Sequence, residues 1–465
     1  MQLPFAQGKT YAMLGLGKTG QATAASLIAS GATVVAWDDK EESRVAFTQA
    51  VPGALLQPMD AWPWKTLECV VMSPGIPLYF PTPHPVVAQA RRHGVPISGD
   101  IDLLHKAQPK ARYIAITGTN GKSTTTSLIG HILNANGVRC AVGGNLGTAV
   151  LALEEMGEGG TYVLELSSYQ LDLVQRARFD IAVLLNFSPD HLDRHGSMDG
   201  YIEAKKRIFH RQQPTDTAII GVDDAYAEAL CRAMLFEEAQ KVLPISVTQT
   251  VKQGVYVSKD GMLHNAQASP AEQASLHGIV SLQGGHNWQN AAAAYAACRA
   301  HGLSHDDVVN AMRSFPGLEH RMQWLGRIDA VAYVNDSKAT NADAAEKALR
   351  TYDDIFWILG GVPKEGGIEP LLRYFPKLRH AYLIGEAADA FARTLKGHVP
   401  TTQCGTLERA FLAASTAAKT SGLAAPVVLL SPACASFDQF KNFEARGAAF
   451  MTLVEQLRAG ATDAA

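Results

Sequence analysis

The apolar run Ile114-Ala-Ile-Thr117 passes directly into Gly118-Thr-Asn-Gly-Lys-Ser-Thr124, and that loop opens a helical pattern continuing through Leu128 and Ile132. A strand, a glycine loop and a helix start in this order commit the region to a parallel α/β sheet. The same order confines the chemistry. Glycines let successive backbone N–H groups turn inward, the helix start adds its positive dipole end, and the two together hold phosphate. Lys122 neutralises charge at the β- and γ-phosphates, and the Ser123 hydroxyl is of the type that holds Mg²⁺. Gly118, Thr119, Asn120, Gly121, Lys122, Ser123 and Thr124 are therefore candidate ATP contacts. The spacing is Gly-x-x-Gly-Lys-Ser, two residues shorter than the usual Gly-x-x-x-x-Gly-Lys-Ser.

The α/β plan recurs on both sides of this loop. Tyr11–Leu14, a glycine turn, a helix near Gln21–Ser30 and Thr33–Trp37 alternate strand and helix from the start of the chain. Further strands are expected at Tyr162–Leu164, Ile181–Leu185, Ala330–Val334, Ile355–Leu359, Ala381–Ile384 and Pro426–Leu430, with an Ala-rich helix at His286–His301. With domains of about 100–200 residues, a chain of 465 residues accommodates two to four, and three is the central expectation. Joints are read at Gly99-Asp100 with Ala107–Lys110, and at Pro316-Gly317. The expected domains are 1–105, 106–317 and 318–465.

A formal net charge of -3 gives no basic surplus to recommend nucleic acid as a partner. Six cysteines never approach CxxC spacing, which argues for free thiols in a reducing cytosol rather than a zinc ribbon or a disulfide framework. Met1–Lys9 lacks the features of a signal peptide, and no apolar run reaches the length of a membrane span. A cytoplasmic enzyme without membrane insertion is expected.

A second glycine loop, Gly15-Leu-Gly17-Lys-Thr-Gly20, also follows a strand and opens a helix, and Asp38 ends the next strand. Backbone amides at such a helix start bind any diphosphate, and a carboxylate so placed can bond a ribose or uridine group. Two diphosphate sites hint at a nucleotide-linked substrate meeting ATP. Ligands in open parallel sheets sit outside the carboxyl ends of the strands. Glu165 ends the strand Tyr162–Leu164, and His191 follows Ile181–Leu185 in Ser188-Pro-Asp-His-Leu-Asp193; either can ligate metal, and either can equally serve as a cap. Lys205, in Tyr201-Ile-Glu-Ala-Lys-Lys-Arg-Ile-Phe209, reads from composition as part of a solvated basic face.

Ile116-Thr-Gly-Thr-Asn-Gly-Lys-Ser-Thr124, Glu165-Leu-Ser-Ser-Tyr-Gln-Leu171, Asp190-His-Leu-Asp-Arg194, His286-Asn-Trp-Gln-Asn290, Asn335-Asp-Ser-Lys-Ala-Thr340 and Leu430-Ser-Pro-Ala-Cys-Ala-Ser-Phe-Asp-Gln-Phe-Lys-Asn-Phe443 together resemble the Mur ligases, in order and over nearly the whole chain. The resemblance implies a Rossmann-like domain for a UDP substrate, a central P-loop-type ATPase domain, and a C-terminal Rossmann-like domain that closes over both and carries an amino-acid site. The last two blocks are similar to the branch adding D-glutamate to UDP-N-acetylmuramoyl-L-alanine. It further implies two Mg²⁺ ions, one on Ser123 and Glu165 and one on His191 and Lys205, the lysine carried as a carbamate. Lys122, Glu165, His191 and Lys205 become the catalytic set. Asn287 and Asn290 would face the adenine, and Arg321 and Asp336 would reach phosphate and ribose. Lys18, Thr19, Asp38, Gly75 and Asn145 would hold the uridine nucleotide. Lys338, Thr340, Lys364, Ser436, Phe437 and Phe443 would form the D-glutamate shell, with Glu365 and Phe437 departing from common family residues. Without the resemblance, Phe437, Phe440 and Phe443 read equally as ordinary core. A monomer is expected.

Three other readings make different predictions. An NAD-dependent dehydrogenase built on Gly15–Gly20 and Asp38 leaves the phosphate loop unexplained. A regulatory nucleotide-binding protein predicts ATP binding without turnover, and a sister ligase predicts a different amino acid.

Overall fold

Tyr11–Leu14 and Tyr113–Ile116 are apolar on successive residues rather than alternate ones, the pattern of strands covered by helices on both faces. The computed structural model describes residues 1–364 and 366–462 and arranges its strands in three sheets. The first is wholly parallel: β1 (Thr10–Leu14), β2 (Thr33–Trp37), β3 (Leu55–Leu56), β4 (Leu67–Met72) and β5 (Ile97–Ser98), in the order β3-β2-β1-β4-β5. Strand order reverses between β1 and β4, so the loops after these neighbours flank a crevice of the kind that takes ligands.

The second sheet holds β6 (Arg112–Thr117), β7 (Cys140–Gly144), β8 (Thr161–Glu165), β9 (Ile181–Leu184), β10 (Thr217–Gly221), β11 (Lys241–Ser246), β12 (Val255–Val257), β13 (Met262–Asn265) and β14 (Glu272–Ser275). Its order is β14-β13-β12-β11-β10-β9-β6-β8-β7, parallel except for the antiparallel pairs β12–β13 and β13–β14. β6 thus lies between β8 and β9, and the carboxyl ends of these three strands lie side by side. The Ala-rich helix Gly285–His301 packs on the helix Lys122–Ala135 that follows the phosphate loop. Alanine after alanine on it is buried.

These two sheets and their helices form one compact unit, Met1–His277 with Gly285–Phe315. Gly99-Asp100 and Ala107–Lys110 read as a joint in the sequence, yet the helix Asp100–Ala107 stands between them. Its Ile101, Leu103 and Leu104 enter a core that also takes Tyr11 and Val71 from the first sheet and Tyr113 and Tyr162 from the second. Asp102 fastens the same helix by accepting the backbone N–H groups of Gln175, Arg176 and Ala177 at 3.0, 3.1 and 2.8 Å.

The other unit comprises Gly278–Gly284 and Pro316–Ala465. Its sheet runs β15-β16-β20-β17-β18-β19, with β15 (Gln323–Ile328) antiparallel to β16 (Val331–Asn335) and the rest parallel: β17 (Ile355–Gly360), β18 (Leu378–Ile384), β19 (Thr401–Gly405) and β20 (Val427–Leu430). Apolar clusters line both faces of this sheet, one around Trp357 and Leu359, the other around Ile358, Phe411 and Phe450.

Candidate functional site

Gly118 and Gly121 leave β6 with φ of 149° and 87°, and the helix begins at Lys122. A side chain at Gly121 would need positive φ and would collide with the Asn290 amide, so the position admits glycine alone. The loop is held from the β9 side. Asn186 Oδ1 accepts from the Asn120 amide at 2.9 Å, its Nδ2 donates to Asn120 O at 3.2 Å, and its backbone O accepts from the Thr119 amide at 3.0 Å. Thr119 Oγ1 meets Tyr201 OH at 3.1 Å. Lys122 Nζ donates to Gly118 O and Thr119 O at 2.9 and 2.8 Å, folded over the loop that it closes. Ser123 is buried behind it, and Thr124 is half-buried.

Glu165 ends β8 next to β6 and is buried. Its Oε1 accepts from Asn145 Nδ2 at 2.7 Å, whereas Oε2 is buried with no hydrogen-bond partner among the described residues. A buried carboxylate oxygen left bare is costly unless a cation answers it. His191 sits in the left-handed region at φ 53° and starts the short helix Leu192–His195. Tyr169 OH lies 3.0 Å from its Nδ1 and Asp190 Oδ2 lies 3.5 Å from its Nε2.

Lys205 is the correction to the compositional reading. It is 1% exposed, with Nζ donating to Gly118 O at 2.9 Å and Thr117 Oγ1 at 3.3 Å. Burial, then the neighbouring Lys122 charge, hold its amine well below the ordinary lysine range, against smaller opposing effects of Asp190 and Glu165. Its neighbour Lys206 takes the surface, paired with Glu203 at 2.7 Å. The helix Met198–Lys206 and the turn after it bury Tyr201, Ala204, Lys205 and Ile208, a helical face whose phase selects Lys205.

In the first sheet, Gly15 packs its backbone on Ser73 after β4, and Ser73 Oγ donates to Gly15 O at 2.8 Å. Asp38 follows β2 and accepts from the Leu16 amide at 2.8 Å and the Lys40 amide at 2.9 Å, so it braces the glycine loop. Lys18 and Thr19 open the helix Lys18–Ala29, and Lys18 Nζ donates to Gly147 O at 2.6 Å. Gly75 has open space where a side chain would stand. Lys18, Thr19, Asp38 and Gly75 are thus gathered at the carboxyl ends of β1, β2 and β4, while Asn145 follows β7 and is engaged with Glu165.

On the Ala-rich helix, Asn290 Nδ2 donates to Asn287 Oδ1 at 3.2 Å and Thr125 Oγ1 donates to Asn290 Oδ1 at 3.3 Å. Asn290 is therefore a buried neighbour of the phosphate loop rather than a surface residue. Gln289 joins in through Asn186 Nδ2, which donates to Gln289 Oε1 at 3.0 Å.

The second unit brings its candidates to the carboxyl ends of β16, β20 and β17, three adjacent strands. Asp336, Lys338 and Thr340 follow β16, Lys364 follows β17, and Ser436 and Phe437 follow β20. Asp336 is buried, its carboxyl pushed up to about 7 by desolvation against the bonds from Ser431 Oγ at 2.7 Å and the Met322 amide at 3.0 Å. Arg321 is half-buried, with its charge near Asp336. Lys338 Nζ lies 5.1 Å over the Phe443 ring. Lys364 is exposed and Ser436 buried. Phe437 is 73% exposed, which removes it from the core, whereas Phe440 packs partly into the cluster around Phe450. Glu365 lies outside the described residues. Arg446, buried, ties these loops together: it donates to Ser337 O at 2.9 Å, Cys434 O at 3.0 Å and Ala435 O at 3.4 Å.

Asn186, Tyr201, Arg194 and Arg446 were not singled out from the sequence. Asn186 had a signal, as the first polar residue beyond an apolar strand beside the phosphate loop. Arg446 had none, since a lone arginine in a helical pattern reads as surface.

Set against known proteins, residues 9–99 match the Mur ligase MurD-like N-terminal domain, 116–298 the Mur ligase middle domain, and 320–434 the Mur ligase glutamate ligase domain. The UDP-N-acetylmuramoylalanine--D-glutamate ligase of Rhodospirillum rubrum is 52% identical over 97% of this chain and 95% of its own length. The ligase of the same name from a Caulobacter species is 51% identical over 97% of each chain. Among solved structures, MurF from Acinetobacter baumannii matches with a TM-score of 0.60 at 18% identity, covering 95% of this chain and 93% of that one. MurC from Thermotoga maritima matches with a TM-score of 0.57 at 18% identity, covering 97% and 99%.

Proposed function

The chain belongs to the Mur ligase family, and on that premise we infer that it is the ATP-dependent ligase that joins D-glutamate to UDP-N-acetylmuramoyl-L-alanine in peptidoglycan precursor synthesis. The structural observation that carries the chemistry is the phosphate loop at the end of β6, flanked by strands that present Glu165 and the His191 segment. We assign residues 1–105 to the uridine nucleotide, 106–317 to ATP and 318–465 to the amino acid. Five of the six free cysteines are buried and none is paired, in keeping with work in a reducing cytoplasm. Among the described residues no helix is long and apolar enough to cross a membrane.

Joining a carboxylate to an amine is uphill until the acid oxygen becomes a good leaving group. In our reading the alanyl carboxylate of the nucleotide attacks the γ-phosphorus of ATP, and ADP departs. Two anions meet in this step, so charge must be cancelled before they approach. Loop amides from Gly118 to Thr124 and the Lys122 ammonium do this from the protein side. The residues present fit divalent cations: for one, Ser123 offers a hydroxyl and Glu165 a buried oxygen that no group among the described residues satisfies, and for a second His191 offers an imidazole. Magnesium held there supplies further screening of the phosphoryl oxygens. Lys205 as an amine does not suit a cation. As a carbamate it would, and a buried amine kept from carrying its proton is the form that adds to CO₂.

The product of the first step is an acyl phosphate. The deprotonated D-glutamate amine attacks its carbonyl carbon, the tetrahedral intermediate collapses, the C–O bond to phosphate breaks, and the proton that the nitrogen sheds leaves with the phosphate. Lys338, Thr340, Lys364 and Ser436 are assigned to the two carboxylates of D-glutamate, with Phe437 and Phe443 as walls. Asn287 and Asn290 are assigned to adenine, and Arg321 and Asp336 to phosphate and ribose. Lys18, Thr19, Asp38, Gly75 and Asn145 are assigned to the uridine nucleotide.

Phosphate release, measured with purified protein, Mg-ATP and a panel of amino acids, tests this reading. Release is expected only when both UDP-N-acetylmuramoyl-L-alanine and D-glutamate are present. Preference for another amino acid, or no ADP formed with the full set, overturns it.

A further inference from the structure

The loop from Ser73 to His84 leaves β4 at the crevice of the first sheet and carries Gly75. Its two ends are tied to the first sheet's own loops: Ser73 Oγ to Gly15 O at 2.8 Å, and His84 Nε2 to Asp39 Oδ2 at 3.2 Å. Its middle is held by a different layer. Arg194 Nη2 donates to Ile76 O at 3.0 Å and Nη1 to Phe80 O at 3.2 Å. Arg194 is 7% exposed, with Nη1 3.8 Å from Asp172 Oδ2 and Cζ 5.1 Å over the Tyr169 ring. Gly196 adds a close approach, for a side chain there would stand 3.1 Å from the Phe80 ring. One guanidinium therefore joins the chain that follows β9, the helix Ser168–Leu173 that follows Glu165, and the loop that follows β4.

We propose that Arg194 is a positioning residue that clamps the Ser73–His84 loop to the phosphoryl-transfer layer, and so sets how tightly and in what alignment the uridine nucleotide is held. This rests on the assignment of that loop to the nucleotide. A surface lysine would serve a solvent-exposed tether equally well; here a planar fork spans two carbonyls, which an ammonium does not reproduce. The guanidinium's two hydrogen bonds go to the Ser73–His84 loop, while its stacking on Tyr169 reaches His191 through the Tyr169 hydroxyl, so the split between KM for the nucleotide and KM for ATP reads which side its loss falls on.

Three variants test this: Arg194→Met, Arg194→Lys, and Arg194→Met with Asp172→Asn, the last removing both buried charges so that no carboxylate is stranded. Losing hydrogen bonds from a charged group should raise KM for the uridine nucleotide about tenfold, with KM for ATP within about twofold of wild type. The lysine variant should recover only part of the difference. Amide exchange should quicken at Ile76 and His84, whose N–H groups bond to Ser73 O and Pro77 O within the loop. If the folded double variant keeps wild-type exchange in the loop and wild-type KM for the nucleotide, or if KM for ATP rises as much, the clamp is refuted. Failure of the wild type to turn over the nucleotide would count against the proposed function instead, and exchange in the loop would still decide whether Arg194 holds it.

Discussion

Lys205 occupies a place where an ammonium is poorly accommodated: it is buried, faces the charge of Lys122, and is bonded to a carbonyl and a hydroxyl rather than to a carboxylate. Converting it to a carbamate replaces a repelled cation by an anion that Lys122 and a bound metal both favour. Lys205→Ala should therefore lower phosphate release by more than the ~10–100-fold typical of outer-shell metal-site losses. A small carboxylic acid added to the assay should restore part of it. Lys206→Ala, at the surface, should stay near wild type. No loss in the first variant, or loss without any rescue, would count against the carbamate. The contrast between these two lysines also shows what residue identity conveys. Gly118–Thr124 was legible because all its parts are contiguous and each type has one use. Lys205 was misread because composition averages over a helix, whereas burial depends on phase. The apolar positions 201, 204 and 208 already drew the face on which 205 falls.

Strands and helices were recovered where the apolar run was long, as in β6, β17 and β18, and the Ala-rich helix began one residue earlier than expected. The helix Asp100–Ala107 was lost between two turn signals because its fixing contacts are distant in sequence. Asp102 alone satisfies three amides some seventy residues away. Asp102→Ala should cost about 3 kcal/mol, since the amides it serves lose an acceptor in a partly buried place; denaturant unfolding measures it, and a loss below ~1 kcal/mol would mean water takes over. Asp100 on the same helix behaves differently. Burial raises its carboxyl from 3.8 to about 6, against opposing bonds from backbone amides. The folded state thus holds this proton more firmly than the unfolded chain, so the group's contribution to stability is present below pH 3.8 and is lost as pH rises through about 6. Above that the native fold carries a buried carboxylate, at a cost of at most on the order of 3 kcal/mol. Asp100→Asn removes the cost. Its stability relative to wild type should climb between about pH 4 and pH 7 and then level off. A difference that stays flat with pH would show the carboxyl is not displaced.

Each of the two units has its own core, and the candidate contacts are spread over both: the phosphate loop and Asn287 in one, Lys338, Thr340, Lys364 and Ser436 in the other together with Arg321 and Asp336. Lys364 and Asn287 lie in different units, so the amino-acid and adenine assignments can be tested one at a time. Lys364 is exposed, so Lys364→Ala should change stability by less than about 0.5 kcal/mol. If its ammonium holds a D-glutamate carboxylate, losing that charge-assisted bond should raise KM for D-glutamate by roughly 10–100-fold. KM for ATP should stay near wild type. Asn287→Ala is the converse, raising KM for ATP about tenfold and leaving that for D-glutamate in place. The double variant should then carry both changes at their single-variant sizes, within about twofold. Steady-state phosphate release with each substrate varied in turn reads all of these. A Lys364→Ala protein whose ATP requirement moves as far as its D-glutamate requirement would mean that this lysine acts on the phosphoryl step, and that the amino acid is selected by other residues.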